Sequence, residues 1–103
     1  MSLQAVKYRE RIAEIDYEIA KKEIQILSMK ENINTRLKMK AENEKYKVPW
    51  RHEYQLGLEQ AELAINIFEA EKAKLINELK FLRLILEELL TPKQDDLPST
   101  VQS

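Results

Sequence analysis

A histidine beside an acid is where zinc binding or acid–base chemistry would begin, and this chain has one such place, His52-Glu53. The zinc motif His-Glu-x-x-His needs a second histidine one helical turn later, so that both imidazoles reach one ion. Position 56 is Leu56 instead. The di-iron pattern Glu-x-x-His fails too, because the residue three before His52 is Pro49. With no cysteine there is no thiolate ligand, no Cys-His nucleophile and no disulfide framework. Ser2, Ser28, Ser99 and Ser103 are all remote in sequence from His52, and Gly57, the only glycine, builds no phosphate-cradling loop. The residues therefore name no catalytic group, no metal ligand and no cofactor. The expectation is a protein that is not an enzyme.

The same stretch offers a different chemistry. Lys45 to Tyr54 reads KYKVPWRHEY and holds the only Trp, the only His and two of the four Tyr, beside Lys45, Lys47 and Arg51. Aromatic rings beside Lys and Arg can stack on bases while the cations meet phosphates. Trp, Tyr and Arg are equally the residues enriched at protein-binding hot spots. Tyr46, Lys47, Trp50, Arg51, His52 and Tyr54 are therefore the candidate partner-binding residues. A plainer role competes with both: a Trp after Pro49 can staple a corner by covering the end of a core.

Charge decides between the partner classes. The chain carries a net charge of −1, unevenly spread. Residues 36–52 hold six basic and two acidic groups, a net of +4, whereas residues 53–103 hold five basic and ten acidic groups, a net of −5. Glu42 and Glu44 inside the basic segment weigh against nucleic acid, which is the second reading. Another protein is the first.

What must position this stretch is helical. One glycine, three prolines and 34% charged residues among 103 suit long helices, and the length suits one domain. Isoleucine recurs every seven residues at Ile12, Ile19, Ile26 and Ile33, with Tyr8, Ile15, Lys22 and Met29 at the alternate heptad position. This is the coiled-coil signal. A second run comprises Tyr54, Leu58, Ala61, Ile65, Phe68, Lys72, Leu75, Leu79, Leu82, Leu86 and Leu89. The two frames do not join; the register slips near Pro49, which removes a donor and drives Val48 out of the helical region. The spacing predicts a helix over about 3–46, a corner over about 47–50 with proline suited to opening the next helix, and a helix over about 50–90. The arrangement expected is an all-α, antiparallel coiled-coil hairpin. A kinked continuous rod is the alternative, since no Gly or Asn supplies a C-cap before the proline.

Lys22 and Lys72 interrupt the two seams, and their stems are expected to pack while the ammonium groups reach water. A register setting Lys22 opposite Lys72 is disfavoured by like charge. The glutamates lie off both seams and read as a solvated face, with Glu18–Lys22 and Glu69–Lys72 as pairs within a helix.

Each helix carries a second apolar stripe. On the first it is Leu3, Val6, Ala13, Tyr17, Ala20, Ile24 and Leu27, about 150° around the helix from the isoleucine seam. On the second it includes Leu56, Leu63, Ile67, Ala70, Phe81 and Leu84, and FLRLILEELL at 81–90 is apolar almost all round. Two helices bury one stripe each. Covering each remaining large side chain contributes about 1.5 kcal/mol or more, and a stripe at helical period is not a scatter of surface hydrophobes. Leu3, Val6, Tyr17, Ile24, Leu27, Leu63, Ile67, Phe81, Leu84 and Ile85 are the candidate oligomer interface. A homodimer of hairpins forming a four-helix bundle, or a tetramer, is expected.

The segment after Leu90, TPKQDDLPSTVQS, is polar and proline-bearing and is expected to be a disordered tail over 91–103. MSLQAVKYRER lacks the apolar core of a signal peptide, and no run is long enough to span a membrane. A cytoplasmic protein with no membrane partner is expected. Chain length and a mid-chain Trp resemble the WXG-type secreted hairpins. Their turn is Trp-x-Gly, however; here it reads Trp50-Arg51-His52, and no Tyr-x-x-x-acidic signal follows the second helix.

Overall fold

The chain opens with a helix start written into its second residue. Ser2 has extended backbone angles and its Oγ accepts from the Ala5 N–H at 3.1 Å, satisfying one of the donors a helix leaves free at its first turn. From there α1 runs over Leu3–Lys45 and α2 over His52–Leu90 in this computed structural model, which describes residues 2–91. The expected tail from Pro92 onward lies outside the described residues. At 1.5 Å per residue each helix is about 60 Å long. The two pack against each other along their length, so the chain is a helical hairpin and not a kinked rod. No helix of the described residues is long and apolar enough to cross a membrane.

The seams sit where the heptads put them. Ile15 is fully buried at 0% exposure, Ile26, Leu58, Ala61, Leu79 and Leu82 are buried, and Tyr8, Ile12, Ile19 and Leu75 pack around the Ile15–Leu79–Leu82 cluster. Ala5, one heptad before Ile12, is buried too and extends the seam to the first turn of α1. Towards the corner the seam of α1 passes to Arg36, Lys40 and Asn43, which are half-buried.

The disfavoured register is the one the chain adopts. Lys22 Nζ lies 2.8 Å from Glu71 Oε1, and Lys72 Nζ lies 3.2 Å from Glu23 Oε2. Each lysine thus pairs with the sequence neighbour of the other, which places both at the same level of the hairpin. Like-charge repulsion is answered by two interleaved carboxylates, and Lys22 also lies over the Phe68 ring at 5.3 Å. The glutamates that read as a solvated face include these cross-helix partners. The expected pairs within a helix, Glu18–Lys22 and Glu69–Lys72, give way to them, because the neighbouring helix brings Glu71 and Glu23 into reach. Arg11 to Glu78 and Arg83 to Asp16 add two more bridges across the seam, at 3.2 and 3.6 Å. Arg11 also reaches Glu14, and hydrogen bonds to Glu14 and Glu78 hold its guanidinium above its ordinary pKa.

The corner spans Tyr46 to Arg51. Where glycine or asparagine would cap α1, Lys47 takes the left-handed conformation at φ 58°. The Val48 N–H donates to Asn43 O at 2.7 Å and the Lys47 N–H to Glu44 O at 3.2 Å, the paired bonds of a Schellman cap. Pro49 does not open α2. The N-cap is Arg51, in extended conformation and without a side-chain cap bond, and Glu53 supplies an acid to the first turn.

Candidate functional site

The corner is built around Trp50. It is half-buried, its Nε1–H donates to Gln55 Oε1 at 3.0 Å, and its ring meets that of Tyr54 with centroids 5.3 Å apart and planes tilted by 53°. Gln55 passes the link on, Nε2 donating to Glu59 Oε2 at 3.1 Å. Trp50 lies just before the Arg51 cap, and tying it to the first turns of α2 fixes the angle at which the chain enters the helix, as a hydrophobic staple does. Trp50 and Tyr54 thus brace each other at the start of α2.

The other predicted tip residues are separate from that cluster. Tyr46, Lys47, Arg51 and His52 are exposed, Tyr46 at 67%, with Lys45 Nζ 5.5 Å from the Tyr46 ring centroid. The tip therefore has two parts: an anchored Trp–Tyr pair and an exposed basic surface on the corner itself. His52 opens α2 facing solvent. Among the described residues, no three His, Asp or Glu side chains gather as a metal site would require.

Sequence reasoning missed Arg36 and Gly57. Arg36 crosses the seam towards α2, its Nε donating to Asn32 Oδ1 at 2.7 Å, and its guanidinium lies against Gly57. Beside it, Asn32, Thr35, Arg36, Met39, Trp50 and Tyr54 bound an open groove of about 330 Å³. An arginine at the alternate heptad position, after Tyr8, Ile15, Lys22 and Met29, and a lone glycine inside a helix were the available signals. Only the register shows that they meet.

The second stripes are the other candidate surface. Leu3 is 70% exposed, Ile24 68%, Tyr17 67%, Phe81 64% and Leu84 62%, and Val6, Leu27, Leu63 and Ile67 are exposed as well. Nine of the ten predicted interface residues thus face away from the hairpin seam; Ile85 does not, being half-buried beside the Leu82–Leu86 edge of that seam. Leu56 on α2 and Leu37 and Met39 on α1 are exposed as well, nearer the tip. Because each stripe lies about 150° from the seam of its own helix, the two stripes occupy the two outer edges of the hairpin. No protein family, curated protein or solved structure matches this chain.

Proposed function

We propose that this chain is a non-enzymatic scaffold or adaptor, or an assembly chaperone, that associates with copies of itself and works through protein–protein contacts. The observation that carries this reading is the pair of exposed apolar stripes, each periodic over most of a long helix. A monomer would leave them in water, and contiguous apolar surface of this kind marks association sites. Two hairpins joined through one stripe each bring four helices together. The remaining stripes then lie at the outer edges of the pair, open to further copies or to a different protein.

Charge supports contact between unlike helices. α1 holds ten basic and eight acidic residues, α2 four basic and eight acidic. A stripe of α1 therefore meets a neighbouring α2 with favourable net charge, and such head-to-tail contact builds larger assemblies than a closed pair.

Substitution tests the reading. Phe81→Glu or Ile24→Glu places a charge in a stripe without touching the seam. Each is expected to weaken association at least about tenfold by analytical ultracentrifugation while helix content by circular dichroism is unchanged. Association that survives both variants would remove the stripes as the interface.

A further inference from the structure

The only glycine sits inside α2, where glycine is among the least favourable residues. A β-carbon at Gly57 would stand 2.5 Å from Arg36 Nη1 and 2.9 Å from Arg36 Cζ. The missing side chain is what lets the guanidinium lie against the backbone of the opposite helix. The other cations that reach across the seam, Arg11, Lys22, Lys72 and Arg83, each meet a carboxylate. Arg36 does not: among the described residues its one side-chain partner is the neutral Asn32 Oδ1, bonded through Nε. The paired Nη donors, which form the fork that matches a carboxylate, are left open.

The groove beside this fork has a size and lining that suit one side chain. Its volume is about 330 Å³, with Arg36 and Asn32 on the polar side and Met39, Trp50 and Tyr54 supplying apolar wall. Trp50 is already fixed by Gln55 and Tyr54, so the wall is formed before anything binds. The surrounding segment, residues 36–52, carries a net charge of +4, which attracts acidic partners. Glu42 and Glu44 stand within that segment and Glu53 directly follows it. They oppose a polyanionic backbone more than a single carboxylate.

We propose that this groove binds a carboxylate side chain of an acidic segment in a partner protein, with Arg36 as the fork and Trp50 and Tyr54 as the wall. The site rests on the protein-contact reading above and names the partner's chemistry at the tip.

Trp50 is the only tryptophan, so its emission reports the groove directly. The full chain is titrated with an acetylated, amidated Ala-Glu-Ala-Glu-Ala peptide. The expected result is a saturable change with a Kd near a millimolar or tighter, about tenfold or more weaker for the Gln-for-Glu peptide and for Arg36→Gln. Gly57→Ala displaces the guanidinium and is expected to weaken binding several-fold, whereas Lys80→Gln, which removes an exposed charge on α2 outside both the groove and the basic segment, retains it. Circular dichroism checks that Arg36→Gln is folded. If it is not, Arg36→Lys keeps the charge without the fork and is expected to lose binding equally. An equal response to the Gln peptide, or no saturable response by about 50 mM, would overturn the site. So would a single-stranded RNA 20-mer that displaces the peptide with steep salt dependence, because the tip would then be a phosphate surface. The solution mass of Arg36→Gln is expected to equal that of the parent chain, so failure of this site and failure of stripe-mediated association are read separately.

Discussion

Lys47 is the residue with the least favourable backbone in the hairpin. A left-handed φ of 58° costs a side chain with a β-carbon more than it costs glycine. Lys47→Gly is therefore expected to raise stability by about 0.5–1 kcal/mol, measured by urea denaturation. A fall in the midpoint would mean that the Lys47 side chain contributes more than its backbone loses. Arg51 is the second such residue, an N-cap whose side chain accepts no bond from the turn it begins. Arg51→Asp is expected to gain about 1 kcal/mol by accepting from a first-turn N–H and by complementing the helix dipole. Neither feature was legible in sequence. The corner was placed by Pro49, but no Gly or Asn stood directly before it to mark a C-cap, and proline was expected at the helix start. The chain instead closes α1 on a lysine and starts α2 two residues later than Trp50. Backbone bonds from Val48 and Lys47 hold that conformation, and backbone bonds leave no trace in residue types.

At the scale of the helices, the heptads decide which faces meet, and four ion pairs span the seam at the level where they meet. Ile15, fully buried against Leu79 and Leu82, is where a lost side chain leaves a hole. Ile15→Ala is expected to cost about 3–5 kcal/mol, read from the same denaturation curves; a loss below 1 kcal/mol would mean that this part of the seam collapses or is wet. The Lys22–Glu71 and Lys72–Glu23 pairs form in the register the hairpin adopts. Lys22→Glu puts a third acid beside Glu23 and Glu71 and is expected to destabilise by about 1 kcal/mol, with Glu71→Lys in the same chain restoring most of it. A double variant no better than the single one would show that the pair does not act across the seam. Both seams were legible because isoleucine and leucine at three- and four-residue steps leave little choice of face. The register was not. Apolar seams interleave at several levels, and repulsion between two lysines was judged without the carboxylates that only the paired helices bring to them. That Arg36 meets Gly57 was not legible for the same reason, each being an oddity within its own helix until the register sets them side by side.

Seen as one object, the molecule is a two-helix hairpin with apolar residues on three surfaces: the seam between the helices and one outer edge on each. The outer stripes were legible in sequence for the same reason as the seams, and Tyr17, Ile24, Phe81 and Leu84 are as exposed as their wheel positions imply. Their partner was not legible, because a stripe states that something covers it and not what. In the function proposed, copies of this chain cover one another. The measurement that tests it most directly is solution mass by light scattering coupled to size exclusion, over about a hundredfold range of concentration around the micromolar scale. A mass of two or more chains of 12.2 kDa is expected, falling towards one chain only at the dilute end. A constant mass of one chain across the range would contradict it, and the stripes would then belong to a different protein.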